Sequence, residues 1–433
     1  MLDILFTDIT IITMEDDKPV INRGFVGVIG GKIAHVSETA PEEGAARKIS
    51  GKDKLIMPGL VNTHAHTAMC IMRGYADDYA LHDWLYKKIF PVESRLTEQA
   101  VLAGVKLGFA EMIRFGTTSV SDMYFYQLAA AKFALECGIR ANLSNAVLAL
   151  SPDFDFETDR AVAELRELLK SFHGADGRRV RADASIHAQY TSTPDVWKKT
   201  AKIARDNRLI MHLHLSETKR EHEECVAQLG KTPARMFYEN GVFGVPVIAA
   251  HCTWLSEEDM EICAESGVSC AHNPVSNLKL GSGIARISQM QKLGMNVSLG
   301  TDGCCSNNTH DLFEEIKAAA LLQKGTTGDP TVLNAYSALK LATVNGAKAQ
   351  GRENEIGRIR EGFDADLIVL DLDAPHLYPV FDPLSTVVYG ARGSDVCMTV
   401  VKGKVLYENG EHKTIDIERV YDEVEKYALP LVK

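Results

Sequence analysis

The strongest constraint on the fold is an apolar run that ends in two histidines placed two residues apart. The run covers residues 55–61, and His64 and His66 follow it almost directly. Side chains alternate along a strand with period two, so both imidazoles point to the same side. Neutral imidazole is the commonest ligand for zinc-like metals, so the pair can bind one ion together. Two ligands do not complete such a site, and we expect the others at the ends of later strands.

Length, net charge and cysteine content limit the classes of protein to which this chain can belong. The chain has 433 residues, 45% of them apolar, which is enough for one large domain with an appendage. A formal net charge of −11 argues against a nucleic-acid or anionic-membrane partner. No stretch reaches the ~20 apolar residues of a membrane span, and the N-terminus does not read as a signal peptide. Nine scattered cysteines without a C-x-x-C pair predict a reduced, cytoplasmic protein with buried thiols; a homo-oligomer is left open.

The residue pattern along the chain predicts three segments. Residues 1–57 contain short runs typical of β-strands, interrupted by glycine and aspartate, and residues 353–433 show the same pattern. We therefore predict that both termini join into one small β-sandwich domain. Residues 58–352 alternate apolar strand-like runs with helical patterns and are predicted to form the catalytic domain.

This alternation predicts a (β/α)8 barrel, an α/β fold, rather than a doubly wound sheet. The predicted strands lie near 55–63, 117–122, 139–148, 180–186, 208–214, 245–251, 267–271 and 295–301. The predicted helices include residues 97–115, 127–137, 159–172, 194–207, 233–239, 256–265 and 312–323.

Histidines and acidic residues recur where these strands end, which is where barrel enzymes carry their chemistry. After the first strand with its two histidines, the candidates are His187 after strand 4, His214 and Glu217 after strand 5, His251 after strand 6 and Asp302 after strand 8. A single histidine is more often structural than a ligand, but a purely structural role does not explain this regular placement. His212, two residues before His214, is expected to lie deeper and to support the site.

The residue types indicate a metal-assisted hydrolysis. His64, His66, His214 and Asp302 offer three nitrogens and one carboxylate oxygen, which suits one divalent ion, Zn²⁺ first and Fe²⁺ as the alternative. Such an ion lowers the pKa of a bound water from about 15.7 towards about 7, which provides hydroxide near neutral pH.

The remaining residues then take proton-transfer roles. Asp302 can accept the proton of that water or hold it by a hydrogen bond, which makes it catalytic as well as a ligand. Glu217, three residues beyond a ligand, can carry protons to a substrate nitrogen and to a leaving amine. His251 would orient the water and stabilise developing charge. Attack on an sp² carbon that bears an amino group, with loss of ammonia, uses every one of these groups.

Five segments carry a family resemblance over essentially the whole chain. Residues 58–66, 214–217, 250–252, 276–281 and 300–303 resemble the amidohydrolase superfamily, in particular its single-metal aminohydrolases of aromatic bases. Strand 4 carries no lysine of the kind that is carbamylated to bridge two metals, which supports a single ion. Within the superfamily, residues 84–97, 122–124 and 306–308 look like the 5′-methylthioadenosine/S-adenosylhomocysteine deaminases.

The closer resemblance implies substrate contacts. The glutamate that matches Glu93 binds the ribose hydroxyls in that family, and the histidine that matches His187 contacts the nucleoside. A carboxylate suits the ribose because it can accept from two vicinal hydroxyls at once. Trp84 is placed at the substrate by the same match. Glu93 has one structural alternative, which is to cap the helix that begins near Thr97.

One departure concerns the 5′ end of the substrate. Asn145 stands where relatives that act on S-adenosylhomocysteine usually carry an arginine, and Arg160 matches a second arginine in the following loop. The two arginines would hold the amino-acid carboxylate, and loss of one weakens that grip. S-adenosylhomocysteine is therefore more doubtful than 5′-methylthioadenosine, 5′-deoxyadenosine or adenosine. His310 is expected near the 5′ side of the sugar, where an apolar residue is usual.

The resemblance implies hydrolytic deamination of 5′-substituted adenosines to the corresponding inosines, with a small-molecule nucleoside as the partner. Three alternatives stay open: deamination of guanine or a pterin, triazine hydrolysis, and a non-catalytic scaffold. Guanine deaminases usually show a Pro-Arg-Phe element where this chain has residues 187–190. Glu217 fits an amine leaving group that needs protonation, although a triazine could also use it. All four ligand positions are filled, which argues against a scaffold.

Overall fold

A computed structural model describes residues 1–433. Its strands are, in chain order, β1 (Leu2–Ile12), β2 (Val20–Ile29), β3 (Lys32–Ser37), β4 (Ala45–Ser50), β5 (Lys54–Pro58), β6 (Leu60–Ala65), β7 (Thr117–Met123), β8 (Arg140–Ser144), β9 (Val180–Ala182), β10 (Ala184–Ser185), β11 (Met211–Leu215), β12 (Val247–His251), β13 (Ser269–His272), β14 (Asn296–Leu299), β15 (Leu367–Asp371), β16 (Val396–Val401), β17 (Lys404–Glu408) and β18 (Glu411–His412).

The α-helices are α1 (Leu81–Trp84), α2 (Phe90–Glu93), α3 (Glu98–Arg114), α4 (Gln127–Cys137), α5 (Arg160–Ser171), α6 (Ala175–Arg178), α7 (Pro194–Asn207), α8 (Lys219–Leu229), α9 (Pro233–Glu239), α10 (Glu257–Glu265), α11 (Pro274–Lys279), α12 (Ile287–Lys292), α13 (Leu312–Thr327), α14 (Ala335–Leu341), α15 (Val344–Ala349), α16 (Pro383–Ser385), α17 (Ile417–Glu423) and α18 (Leu429–Val432). Short 3₁₀ turns cover Thr67–Met72, Gln189–Thr191, Val242–Gly244 and Gly393–Asp395, and π turns cover Leu85–Ile89, Thr386–Gly390 and Val424–Ala428.

Both chain ends contribute to one nine-stranded sheet. Its order is β18-β17-β16-β15-β5-β1-β2-β3, with β4 paired to β1. The two ends meet where β15 runs antiparallel to β5. The sheet encloses its own core of 16 buried apolar residues, drawn from both termini. This arrangement agrees with the predicted β-sandwich built from both termini.

The middle of the chain forms the predicted barrel. Strands β6-β7-β8-β9 and β10-β11-β12-β13-β14 make two parallel sheets, and a parallel bridge from Ala65 to Asp302 closes the ring. The fourth strand is split at Asp183, whose backbone N–H donates to Leu143, while the next N–H, that of Ala184, donates to Ile210. The barrel therefore has eight strand positions, and its carboxyl ends all face the same side.

One predicted strand, 55–63, is wrong as a single element. Its first half is β5 of the terminal sheet, where Pro58 pairs with Leu367, and its second half is β6 of the barrel. The chain changes sheets at Gly59, where a Cβ atom would lie 2.2 Å from the Thr118 side chain. Both halves are buried, so the apolar pattern continues without a break across the junction. The domain limits 1–57, 58–352 and 353–433 stay a prediction.

The chain ends in helices rather than strands. Helices α17 and α18, with the π turn between them, follow the last strand, and α17 and that turn pack against α3. Lys106 of α3 forms an ion pair of 2.6 Å with Glu423 of α17. This contact attaches the C-terminus to the outside of the barrel.

The burial predicted for the cysteines holds for eight of the nine, and all nine are free thiols in the structure. None of the helices combines the length and the apolar character needed to cross a membrane.

Candidate active site

Four predicted ligands meet at the carboxyl end of the barrel. His64 and His66 come from the end of β6, His214 from β11, and Asp302 follows β14. Their ligand atoms all lie within 4.8 Å of one another. The Asp302 Oδ1 atom is 3.3 Å from Nε2 of both His64 and His66, and the Nε2 atoms of His66 and His214 are 3.2 Å apart.

A hydrogen bond at the Nδ1 atom of each of the three histidines fixes the orientation of its ring. His66 Nδ1 donates to the Met123 carbonyl at 2.6 Å, and His214 Nδ1 donates to the His187 carbonyl at 2.8 Å. His64 Nδ1 lies 2.9 Å from Nε2 of His212, which confirms the supporting position predicted for His212. The Nε2 atoms are thereby aimed at the centre of the group.

The electrostatics of this group fit a divalent metal. Nε2 of His64 is buried and has no hydrogen-bond partner within the protein, which is costly unless a ligand occupies it. Burial lowers the pKa of His64 to about 4, so the imidazole is neutral and keeps a free electron pair. Burial raises the pKa of Asp302, but the adjacent His64, His66 and His251 outweigh it and hold the pKa well below its usual value. Neutral nitrogens beside an ionised carboxylate are what such an ion requires.

Glu217 and His251 lie beside the ligand group and form an acid–base pair. The Glu217 Oε2 atom is 3.8 Å from His251 Nε2, and Glu217 Oε1 accepts from the Ser282 hydroxyl at 3.2 Å. Burial raises the pKa of Glu217, with His251 opposing the shift. For His251 burial lowers the pKa, but Glu217 and Asp302 outweigh it and the net pKa is raised. Both groups can therefore hold or release a proton at the site.

The backbone after β11 is fixed by a second buried acid. Glu221 accepts from the backbone N–H groups of Ser216 and Glu217, at 3.1 and 2.7 Å. Ser216 has φ +46°, a left-handed conformation that places Glu217 directly after the strand. This local strain positions the Glu217 carboxylate over the barrel mouth.

The segment that follows strand β13, residues 276–282, holds three of these side chains in place by hydrogen bonds. Ser276 donates to Asp302 Oδ2 at 2.6 Å, and His251 Nδ1 donates to Asn277 Oδ1 at 2.8 Å. Ser282, further along the same segment, donates to Glu217. Residues 276–281 belong to a family motif, but the sequence alone assigns no contact to them. Their polar side chains directly after strand β13 are the feature that could have indicated these hydrogen bonds.

Above these residues lies a cavity of about 710 Å³ of empty space that opens to solvent. Helix α1, the π turn Leu85–Ile89 and helix α2 line part of it with largely apolar side chains. The sequence analysis did not predict these short helical turns. The lining residues are His66, Met69, Leu81, Trp84, Leu85, Ile89, Phe90, Glu93, Met123, Tyr124, Phe125, Asn145, Ala146, Leu148, His187, Tyr190, His214, Glu217, His251, Leu280 and Asp302.

Glu93 faces this cavity and does not cap a helix. The side chain of Thr97 caps α3 by accepting from the backbone N–H of Ala100 at 3.3 Å, so the capping alternative for Glu93 is wrong. Burial raises the pKa of Glu93, and the neighbouring Tyr124 hydroxyl opposes the shift. Because it lines the cavity, the Glu93 side chain is available to a ligand there.

The other predicted substrate residues fall into two groups. Trp84 and His187 line the cavity, and His187 Nδ1 is 3.2 Å from the Thr191 hydroxyl. Arg160 does not line it, because its guanidinium lies 4.1 Å from the centre of the Tyr126 ring. Its role in substrate binding stays a prediction.

His310 does not reach the cavity. It is fully buried, and its Nδ1 atom is 3.1 Å from the Thr301 hydroxyl. The expectation that it lies near the 5′ side of a sugar is wrong, because the residue is held against Thr301 and its backbone N–H donates to Glu111 of α3 at 3.2 Å.

Comparison with known proteins identifies the family. The sequence profile described as Amidohydrolase family matches residues 55–406, most of the chain. The chain belongs to the amidohydrolase family. This amidohydrolase is 43% identical over 430 residues to an Acetivibrio thermocellus protein named 5-methylthioadenosine/S-adenosylhomocysteine deaminase, covering 99% of each chain. The predicted resemblance is therefore confirmed.

Two further relatives cover almost its whole length. One is a Methanosarcina mazei protein named 5′-deoxyadenosine deaminase, 43% identical over 432 residues, which covers 100% of this chain and 99% of the relative. The other is a solved structure of a Xanthomonas campestris adenosine deaminase with bound zinc, at TM-score 0.93 and 33% identity, covering 98% of both chains. Together with the three-histidine, one-aspartate group, these relatives support a divalent metal in this amidohydrolase.

Proposed function

We propose that this amidohydrolase hydrolyses the exocyclic amine of 5′-substituted adenosines, giving the corresponding inosines and ammonia. 5′-Methylthioadenosine, 5′-deoxyadenosine and adenosine are the proposed substrates. The observation that carries the proposal is the Glu217–His251 pair placed directly beside the four-residue ligand group at the base of the cavity. Full-length relatives named for these deaminations support it.

Zinc is the proposed ion, held by His64, His66, His214 and Asp302. The donor set of three imidazoles and one carboxylate suits it, and the zinc-bound Xanthomonas campestris structure supports it over iron. Bound there, the ion would polarise a water molecule and make it a nucleophile near neutral pH.

The protein residues then handle the protons. Glu217, whose pKa burial raises, begins protonated and donates its proton to the ring nitrogen beside the carbon under attack. The two protons of the attacking water are accepted in turn by Asp302 and Glu217. One of them passes to the departing amine, and the other returns Glu217 to its starting state. His251, held through Nδ1 by Asn277, presents Nε2 towards the reacting groups and stabilises charge there. Asp302 keeps its Oδ2 atom tied to the hydroxyls of Ser276 and Ser306, which leaves Oδ1 to accept a proton.

Glu93 is proposed to recognise the ribose. It lines the cavity together with apolar side chains of α1 and α2 and with Tyr124, whose ring centre lies 6.4 Å from that of His66. An ionised carboxylate can accept from both vicinal hydroxyls at once, so it distinguishes a riboside from a free base. Trp84 and His187 line the same cavity and offer flat rings to a nucleoside.

The test is a substrate panel followed by ultraviolet absorbance, since loss of the exocyclic amine changes the spectrum of the purine. The zinc-loaded enzyme would be given 5′-methylthioadenosine, 5′-deoxyadenosine, adenosine and guanine in parallel, with the Glu217→Gln protein as the blank. We expect turnover of the adenosines and little of guanine. Turnover of guanine alone would contradict the proposal and favour the rival base deaminase.

A further inference from the structure

Trp254 joins the two loops that carry Glu217 and its hydrogen-bond donor. It lies between β12 and α10, outside the metal ligand group. Its backbone N–H donates to the Ser216 carbonyl at 3.0 Å, directly before Glu217, and its indole Nε1–H donates to the Ser282 carbonyl at 2.6 Å. One residue therefore fixes the loop after β11 relative to the loop after α11.

Ser282 uses every one of its polar groups in this arrangement. Its backbone N–H donates to the Asn277 carbonyl at 2.8 Å, and its own carbonyl accepts from Trp254. Its hydroxyl donates to Glu217 Oε1 at 3.2 Å, and the residue is only 3% exposed. Because the backbone of Ser282 is held at both its N–H and its carbonyl, the direction of the hydroxyl towards Glu217 is fixed as well.

The Ser282 hydrogen bond determines which oxygen of Glu217 carries the proton. It is the hydrogen bond that the protein supplies to the Glu217 carboxyl group, and it occupies Oε1. A protonated carboxyl group has one O–H donor, and its carbonyl oxygen is the better acceptor. With Oε1 as the acceptor, the proton lies on Oε2, which is 3.8 Å from His251 Nε2. The proton is thereby presented beside His251.

Gly283 provides the space that the indole ring needs. A Cβ atom at this position would lie 3.1 Å from Trp254 Nε1 and 3.1 Å from Thr253 Cγ2. The backbone of Gly283 also has φ +126°, which residues with a side chain rarely adopt. The ring can therefore approach the Ser282 carbonyl because the next residue is glycine.

We infer that Trp254 is a positioning residue for the deamination, and that it acts through Ser282 to hold the Glu217 carboxyl group in its proton-transferring orientation. This inference rests on the proposed function and adds a residue to its proton-transfer machinery. Trp254 does not line the reaction cavity, so it does not contact a substrate there. Its loss should therefore lower kcat and leave KM nearly unchanged.

The first test removes the indole N–H and keeps a flat ring. In zinc-loaded Trp254→Phe, kcat for 5′-methylthioadenosine should fall about tenfold, a typical loss when a group that orients an active-site residue is removed. KM and zinc content should stay within about twofold of the unsubstituted enzyme. A kcat within about twofold of the unsubstituted enzyme would overturn the inference, and so would a rise in KM with kcat unchanged.

Trp197→Phe is the matched control for this substitution. The Trp197 Nε1–H also donates a hydrogen bond, to the Ser192 hydroxyl at 2.7 Å, and the ring is buried outside the reaction cavity. This variant loses the same kind of bond and should keep its kcat. An equal fall of kcat in both variants would mean that loss of any buried indole bond damages the enzyme, which would overturn the inference.

A double-variant cycle tests whether Trp254 acts through Ser282. Ser282→Ala removes the donor to Glu217 and should lower kcat about 10–100-fold. With that donor gone, the further change Trp254→Phe should lower kcat by less than about twofold, because the indole no longer has a hydroxyl to position. Full multiplication of the two losses would overturn the inference, since independent defects add in free energy.

A measurement without turnover separates this inference from the proposed function. The chain has three tryptophans, so ¹⁵N-labelled tryptophan gives three indole N–H signals, which Trp254→Phe and Trp197→Phe assign. Ser282→Ala should shift the Trp254 signal and leave the Trp197 signal in place. That shift, in a protein that deaminates none of the adenosines, would uphold the connection between Trp254 and Ser282 and defeat the proposed function. An unmoved Trp254 signal would overturn the inference even in a fully active deaminase.

Discussion

The base and the cover of the cavity are built in different ways. The base, formed by His64, His66, His214, Asp302 and Glu217, is held by directional hydrogen bonds to nearly every polar atom that does not face the centre. The cover, residues 81–93, is held mainly by apolar packing, and even the buried Trp84 Nε1 has no partner. From this contrast we expect the reaction chemistry to depend on the base and the choice of substrate to depend on the cover.

Metal removal is expected to have the largest effect, and to act only through the base. Dialysis against a chelator should abolish turnover, and zinc should restore it, with one ion bound per chain by elemental analysis. His214→Ala should bind no metal, whereas His82→Ala, an exposed histidine of the cover, should bind it normally. Metal loss in His82→Ala would contradict the division between the two regions.

The Glu217→Gln substitution tests the base without disturbing its ligands. It should lower kcat by about 10²–10⁴-fold, since it removes the proton carrier, while metal content and melting temperature stay unchanged. Glu223→Gln, an exposed acid on the following helix, provides the control and should keep full activity. Near-normal kcat in Glu217→Gln would remove this residue from the mechanism.

Asn277 tests whether support from α11 matters to the base. Asn277→Ala leaves His251 Nδ1 without its acceptor, and kcat should fall about 10–100-fold with KM little changed. Asn277→Asp keeps an acceptor oxygen at the same place and should recover part of the activity. Equal losses in the two variants would indicate a packing defect instead of an orientation effect.

Glu93 tests the cover. Glu93→Ala should raise KM for ribosides about tenfold, the cost of one charge-assisted hydrogen-bond pair, and leave kcat nearly unchanged. Adenine as a free base lacks the hydroxyls, so its kcat/KM should not change. An equal rise in KM for adenine would place the effect on cavity shape.

Asp183 lies below the base and should barely affect catalysis, but it should affect stability. Burial raises its pKa to about 7, with Asn142 opposing the shift. In the unfolded chain the group ionises near pH 4, so the folded state holds an extra proton between about pH 4 and pH 7. The free energy of unfolding should therefore fall as pH rises through this window, by at most about 1.4 kcal/mol per pH unit.

Denaturant titrations across this pH range check the expectation. Asp183→Asn cannot ionise, so the decline should shrink in that variant while kcat/KM stays within about twofold of the unsubstituted enzyme. A pH profile of stability identical in both proteins would show that Asp183 keeps an ordinary pKa.

Much of the secondary structure can be predicted from the sequence. Helices over 97–115, 159–172 and 256–265 were predicted within about a residue, because Thr97, Asp159 and Ser256 supply clear N-caps. The split of 55–63 between two sheets was not readable, since both halves are buried and equally apolar. The cover was missed as well, because its helical turns follow tertiary packing more than a regular apolar period.

The residue pattern along the chain is sufficient to predict the barrel, the joining of the termini and the convergence of the four ligand residues. Parallel strands bring their carboxyl ends to one face, so residues that follow each strand must converge wherever they lie in the chain. Which side chains complete the site depends on the tertiary structure: Asn277 accepts from His251, and Ser282 donates to Glu217. These contacts join residues from different loops, and their distances depend on how the loops pack, which no local pattern of residues encodes.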